Sequence, residues 1–303
     1  MKADYIWMNG EIVPYQDAQV HVLTPTLHYG LGAFEGIRAY RTPEGPGVFR
    51  LPEHLERFLQ SAHIAGIRDF PYTVEDLQTA TLETIRANQL KSCYIRPLLY
   101  MSGPLGINPD TWTPKVSIAA WEWGPYLGEE AGEKGIHLMT SSFTRHHVNI
   151  TLTKAKISGN YINSAYAKAL AVRSGYDEAV LLDPEGYVAE CSGENIFLVK
   201  NERLFTPPLA AVLEGLTRDS LITLAGDLDL EIQEAPLTRD QFYAADEVFI
   251  CGTAAEVVPV REMDHRRIGD GQRGPITEQL QRLYHQTASG QGSRSKDWLT
   301  IVR

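Results

Sequence analysis

The stretch Lys154-Ala155-Lys156-Ile157-Ser158-Gly159-Asn160-Tyr161 sets two lysines in a mostly uncharged run. It stands beside a Gly-Asn-Tyr turn that opens an Ala-rich helix, expected over residues 164–172. Desolvation disfavours an ammonium ion, and an amine relieved of its proton can form a Schiff base or abstract a proton. The same spacing suits two surface lysines near a helix start. Strand alternation would put both on one face, so the octapeptide alone does not choose between them.

Residues further along give one of these amines a purpose. Glu190 follows the alternating run Tyr187-Val188-Ala189 and precedes a Ser-Gly turn. A carboxylate entering a turn from a buried strand is costly unless a cation meets it. Gly215-Leu216-Thr217-Arg218 opens a helix with a threonine at its start, where backbone N–H groups and a hydroxyl suit an anion such as phosphate. Gly252-Thr253-Ala254-Ala255 follows a strand and offers a second small-residue loop with a hydroxyl. Taken singly, an N-cap would account for Thr217 and a tight turn for Gly252-Thr253.

The chain has 303 residues, 43% of them hydrophobic, which is ample for a core and suggests two domains. No apolar run approaches the ~20 residues needed to span a bilayer. The first residues read as the start of a strand and lack the apolar segment of a signal peptide. Cys93, Cys191 and Cys251 are far apart and without metal-type spacing, which points to reduced thiols in a cytoplasm. A net charge of −10 argues against a nucleic-acid or anionic-membrane partner. His146-His147 is the closest histidine pair among nine, and neighbours on a strand face opposite ways, so no metal site is expected.

Strand and helix patterns interleave. Residues 5–13 and 35–40 read as strands, and 52–64 as a helix with proline in its first turn. Residues 73–88 read as a second helix, with Thr73 as N-cap and Asp76 three residues on. Segments 92–99 and 116–121 look like buried strands. The Gly- and Glu-rich stretch 124–135 separates an N-terminal domain, 1–123, from a C-terminal one, 136–303. The latter begins with a strand over 136–142. Short strands then run to residue 205, a helix covers 217–226, strands lie near 230, 248 and 257, and a last helix lies near 276–286. Gly30-Leu31-Gly32-Ala33-Phe34-Glu35-Gly36 looks like a dinucleotide loop, but its spacing is GxGxxxG and strand residues follow where a helix should begin. A nicotinamide-dependent oxidoreductase is the rival it suggests.

Together the lysine segment, the Glu190…Asn195…Thr206…Gly215-Leu216-Thr217-Arg218 run and the Gly252-Thr253-Ala254-Ala255-Glu256 loop resemble the class IV, or fold type IV, pyridoxal-phosphate aminotransferases. His28-Tyr29-Gly30, Phe34-Glu35-Gly36-Ile37-Arg38-Ala39-Tyr40, Tyr94-Ile95-Arg96-Pro97-Leu98 and Trp121-Glu122-Trp123-Gly124-Pro125-Tyr126-Leu127-Gly128 resemble the branched-chain amino acid aminotransferases among them. The resemblance spans nearly the whole chain. It implies an α/β (α+β) fold with a small sandwich-like N-terminal domain and a larger pseudo-barrel C-terminal domain.

It also implies roles. Lys156, by its distance from Gly159 and Tyr161, is the Schiff-base lysine for pyridoxal 5'-phosphate. Glu190 pairs with the pyridine nitrogen, Tyr161 with the ring oxygen, and Arg57, Thr217 and Thr253, with backbone N–H groups near Leu216 and Thr253, hold the phosphate, with Asn195 and Gly252 in the cofactor set. By pattern alone Arg57 lies opposite the apolar stripe of its helix and reads as a solvated charge. Tyr94, Thr253 and Ala254 would take the substrate α-carboxylate, Arg96 the side-chain carboxylate of glutamate, and Phe34, Gly36, Arg38, Trp123, Tyr126 and Tyr161 the pocket around them. Tyr29 and the loop with Leu105 and Ile107 would come from the neighbouring subunit of a homodimer or higher homo-oligomer, up to a hexamer. The implied reaction moves the amino group of leucine, isoleucine or valine to 2-oxoglutarate. A D-amino acid or (R)-amine transaminase, or an aminodeoxychorismate lyase, would share Lys156 and Glu190 but differ around Tyr29–Arg38 and Tyr94–Arg96. Cys191 departs from the glycine common in close relatives, and Arg145-His146-His147 carries no role.

Overall fold

The computed structural model describes residues 3–128 and 130–303. The chain separates into two compact units. One takes in the chain up to Trp123 together with Lys154–Asn160 and Thr287–Arg303; the other comprises Gly124–Thr153 and Tyr161–Gln286.

The first unit opens with a hairpin, β1 (Tyr5–Met8) and β2 (Glu11–Pro14), where one strand over 5–13 is expected from the sequence. Asn9 and Gly10 take positive φ, 53° and 107°. Such a two-residue turn matches the twist of antiparallel strands, and it splits the run. Then come α1 (Pro25–Tyr29), β3 (Gly32–Phe34), β4 (Ile37–Thr42), β5 (Gly45–Phe49), α2 (Leu51–Ile64), α3 (Val74–Ala87), β6 (Cys93–Ser102) and β7 (Thr113–Trp121). The C-terminal strand Leu299–Ile301 joins β5, and the sheet continues β4, β6, β7, β1, β2, with β3 on β6. Every pairing in it is antiparallel. Leu51, Leu55 and Phe58 of α2 and Leu77 and Ile85 of α3 share a core with Ile37, Ile95, Val116 and Ile118 of the strands. The Gly30–Gly36 run is no dinucleotide loop: Gly30 ends α1 in the left-handed region, and strands follow.

Residues 35–40, expected as one strand, are interrupted at Glu35-Gly36. Glu35 turns inward and has no exposed surface. A Cβ on Gly36 would lie 2.1 Å from the Tyr94 hydroxyl oxygen, so only glycine lets that ring approach.

The second unit holds α4 (Ala131–Lys134), β8 (Ile136–Thr140), α5 (Tyr161–Arg173), β9 (Glu178–Leu182), β10 (Val188–Cys191), β11 (Asn195–Lys200), β12 (Arg203–Thr206), α6 (Leu216–Gly226), β13 (Ile232–Glu234), α7 (Arg239–Tyr243), β14 (Glu247–Gly252), β15 (Glu256–Met263) and β16 (Arg266–Arg267). Most of α8 (Pro275–Ala288) also belongs to it. Its mixed sheet runs β10, β9, β8, β15, β14, β11, β12, β13, with β16 on β15. The β8–β9, β8–β15 and β12–β13 pairings are parallel. Central strands read as continuous apolar runs, Val248-Phe249-Ile250-Cys251 being fully buried, as two covered faces require. Helix α5 starts at Tyr161, earlier than its alanine run suggests, and His146-His147 lies in irregular chain, not in a strand.

Helix α3 begins as its sequence dictates. The Asp76 N–H donates to Thr73 Oγ1 at 3.2 Å, and the Thr73 N–H donates to Asp76 Oδ2 at 2.9 Å, a reciprocal capping box. Thr73→Ala should lower stability by ~1 kcal/mol, read as a lower urea midpoint at unchanged slope.

Candidate active site

Within the first unit, Lys156 is pinned at both backbone polar groups. Its N–H donates to Ser61 Oγ at 3.0 Å, and its carbonyl accepts from the Phe34 N–H at 3.1 Å. The neighbouring Ala33 and Ile157 form an isolated bridge, which docks the lysine segment on β3. Burial alternates from Thr153 to Ile157, leaving Lys154 and Lys156 on the more open side. Lys156 Nζ sits 5.0 Å from the centroid of the Phe34 ring.

Arg57 is not a solvated charge. Its side chain is 10% exposed, and Nε and Nη2 donate to Glu35 Oε1 and Oε2 at 2.7 and 2.9 Å. His54 Nδ1 lies 2.8 Å from Glu35 Oε2, and the Gly36 N–H donates to the same oxygen at 3.2 Å. Burial alone would raise the Glu35 carboxyl, but the charges and hydrogen bonds of Arg57 and His54 offset this and hold it well below the usual carboxylate range. Burial lowers His54, against the upward pull of Glu35. Facing a carboxylate, Nδ1 of His54 carries its proton and donates to Glu35 Oε2. The sequence does carry a signal for this cluster: His54, Arg57 and Ser61 form a stripe at helical spacing beside Leu51, Leu55, Phe58 and Ala62.

Arg96 and Tyr94 stand together on β6. The Arg96 guanidinium is 4.6 Å from the Phe34 ring centroid, and Nη2 donates to the Tyr94 hydroxyl at 3.0 Å. The buried Arg96 Nε has no hydrogen-bond partner among the described residues, which suits an incoming carboxylate. Trp123 packs edge-on against Tyr94 at 4.6 Å, while Trp121 is core. Arg38 is buried, with Nη1 3.5 Å from the Trp123 carbonyl oxygen. Tyr29 stacks on Trp112, and Leu105 and Ile107 are exposed on the β6–β7 connection.

In the second unit, Glu190 is buried on β10, and the cation it requires is Arg145. Arg145 Nε lies 2.7 Å from Glu190 Oε1, an ion pair rather than an aligned hydrogen bond. The Leu213 N–H donates to Oε2 at 3.3 Å. No sequence spacing links Arg145 to Glu190; the sheet brings them together. Next to it, burial pushes His146 down to about 4, helped by the Arg145 charge. Burial pushes the Cys191 thiol far up, so it is an unreactive packing group.

Helix α6 starts at Gly215, which provides no side-chain cap. A Cβ there would fall 2.0 Å from Asn195 Oδ1, whose amide donates to the Leu213 carbonyl at 3.2 Å. Asn195 thus shapes the loop ahead of buried Thr217. Thr253 and Ala254 form the turn between β14 and β15, after Gly252. Tyr161 heads α5, and exposed Tyr126 follows the 123/124 boundary. Taken unit by unit, the residues suit pyridoxal phosphate: the first offers an amine for an aldehyde, and the second a buried carboxylate for a pyridinium and a helix start without a side-chain cap for phosphate.

The chain belongs to the class IV amino-transferases, whose family description matches residues 32–263, and among them to the branched-chain-amino-acid aminotransferases. It is 50% identical over 299 residues to the branched-chain-amino-acid aminotransferase of Pseudomonas aeruginosa, covering 98% of this chain and 97% of the relative. The crystal structure of the T.th. branched-chain amino acid aminotransferase with pyridoxamine 5'-phosphate matches at TM-score 0.96 and 50% identity, over 100% of both chains. The same enzyme complexed with N-(5'-phosphopyridoxyl)-L-glutamate matches at TM-score 0.96 and 49% identity, again over 100% of both. The mixed α/β architecture is that of the fold type IV enzymes.

Beside Glu190 lies a second carboxylate that behaves differently. Burial, then the charge of Glu178, holds the Glu194 carboxyl well above the usual range, although Lys168, 2.7 Å from Glu178, pulls it back. Above pH 4.5, the ordinary value, the folded state therefore keeps a proton that the unfolded chain has lost. Stability must fall as pH rises through that window. Glu194→Gln should flatten this slope and raise the melting temperature most at the alkaline end, as scanning calorimetry across pH would show.

Proposed function

We propose that this chain is a pyridoxal-phosphate-dependent branched-chain-amino-acid transaminase that moves the amino group of L-leucine, L-isoleucine or L-valine to 2-oxoglutarate, giving 2-oxo acids and L-glutamate. The carrying observation is Lys156, held at N–H and C=O with its amine over Phe34. When bound, the cofactor supplies an electrophilic carbon and a protonated ring that withdraws electrons. Lys156 Nζ would hold that carbon and, as a free amine once the donor has taken its place, would accept the donor's α-proton. In the second half of a ping-pong cycle it gives a proton to the α-carbon of the glutamate being formed. Glu190, paired with Arg145, would hold the ring proton. Tyr161 would donate to the ring oxygen, while Arg57, Thr217 and Thr253, with the N–H groups near Leu216 and Thr253, would hold the phosphate.

Tyr94 and the N–H groups of Thr253 and Ala254 take the α-carboxylate. Phe34, Gly36, Trp123 and Tyr126 favour an apolar side chain, and Arg96 with Arg38 lets glutamate use the same pocket. One methylene changes discrimination there by only ~1–3 kcal/mol, so all three branched-chain donors react. The chain works in the cytoplasm as a homodimer or a larger homo-oligomer. Exposed Val22, Leu23, Leu27 and Ile107 support a partner surface that carries Tyr29 and Leu105 to a neighbour's site.

Lys156→Ala should abolish the visible absorbance of the purified enzyme and its turnover of leucine with 2-oxoglutarate, whereas Lys154→Ala should keep both; the reverse pattern sinks the assignment. Among donors, L-leucine should react and D-alanine and an (R)-arylalkylamine should not, as a donor panel with 2-oxoglutarate will test.

A further inference from the structure

Arg57 and Lys156 sit on separate stretches of chain, yet one hydrogen-bonded frame inside the first unit ties them together. The Lys156 N–H donates to Ser61 Oγ at 3.0 Å, and the Ser61 hydroxyl donates to the Arg57 carbonyl at 2.8 Å. Ser61 has no exposed surface. Phe34 and Glu35, consecutive in the chain, complete the frame: the Phe34 N–H holds the Lys156 carbonyl, and the Glu35 carboxylate holds the Arg57 guanidinium side-on. His54 Nδ1 and the Gly36 N–H add two further contacts to Glu35 Oε2. A side-on pair fixes both the plane and the rotation of a guanidinium and aims its other edge away from Glu35. The rotamer freedom of a long arginine is thereby lost on folding rather than on ligand binding.

We propose that Glu35, Ser61 and His54 are positioning residues that set the spacing between the Lys156 amine and the Arg57 guanidinium, so that one cofactor can meet both through its aldehyde and its phosphate. The proposal rests on the reading of Lys156 and Arg57 given above. None of the three touches the cofactor in this account. Each acts through the backbone of Lys156 or the guanidinium of Arg57. A buried ion pair that merely fastens α2 to the sheet would stabilise the fold and leave cofactor preference alone. The proposal requires that loss of the frame specifically remove the contribution of the phosphate.

The test compares affinities for pyridoxal phosphate and for pyridoxal, which lacks the phosphate, measured by absorbance and fluorescence titration of the full-length protein stripped of cofactor. The reference is Arg57→Gln, which removes the phosphate ligand. Glu35→Gln should lower the phosphate-to-pyridoxal affinity ratio ~10-fold or more, the scale of a lost charge-assisted pair, while pyridoxal still gives its visible band with Lys156. In the Arg57→Gln background, Glu35→Gln should leave the ratio where Arg57→Gln already put it. An unchanged ratio in Glu35→Gln, or equal losses for both ligands, overturns the proposal. If Glu35→Gln does not fold, Ser61→Ala decides: a lowered ratio supports the frame, and a wild-type ratio overturns it. Two controls isolate the reading underneath. A visible band that survives Lys156→Ala, or a ratio unmoved by Arg57→Gln, removes that reading and the proposal with it.

Discussion

A carboxylate with no exposed surface stays charged only if its acceptor positions are met by donors, because burial favours the neutral acid. Glu35 meets that condition with Arg57 on two sides, His54 on a third and the Gly36 N–H beside them. The strand break at Glu35-Gly36, the inward polar stripe of α2 and the orientation of the arginine all follow from satisfying this one group. The Phe34 N–H next to it and Ser61 on α2 carry the constraint to Lys156. Removing a single partner from such a cluster leaves a buried charge uncompensated, which is costly.

The second unit repeats the logic with the roles exchanged. On the proposed function, the arginine of the first pair is the working group and the glutamate its anchor. In the Arg145–Glu190 pair the same proposal has the glutamate work and the arginine anchor it. Both pairs are nearly dry, so neither draws its worth from surface attraction. What each contributes is a fixed direction and a fixed charge for a group that must face a ligand. Glu194 shows the contrasting case. It is a buried carboxyl near Glu190 whose nearest charged neighbours include another carboxylate, and it keeps its proton.

Much of this was legible in the chain. The capping box at Thr73, the proline-led start of α2 and the buried strands β6 and β7 follow from local pattern, because capping and alternation are short-range effects. The hairpin at Asn9-Gly10 was equally readable from its turn dipeptide, and a reading of residues 5–13 as one strand passes over it. Arg57 misleads for another reason. A helical wheel scores apolar residues as inward and charges as outward, and it has no knowledge of a carboxylate waiting on a different strand. Arg145 was beyond reach, since the long stretch between it and Glu190 carries no periodic relation.

By itself the sequence determined the order and type of most elements and, through the motifs it shares with known enzymes, the family; local spacing did not choose between Lys154 and Lys156, and the roles of Lys156, Glu190 and Thr217 were implied only by the resemblance. Only the tertiary structure decided which charges are paired, that Lys156 is clamped between Ser61 and Phe34, and that Gly36 and Gly215 are the spaces into which Tyr94 and Asn195 reach. The physical reason is range. Propensity, capping and turn chemistry act across a few residues, whereas desolvation forces each buried charge to find its partner wherever the fold has brought one.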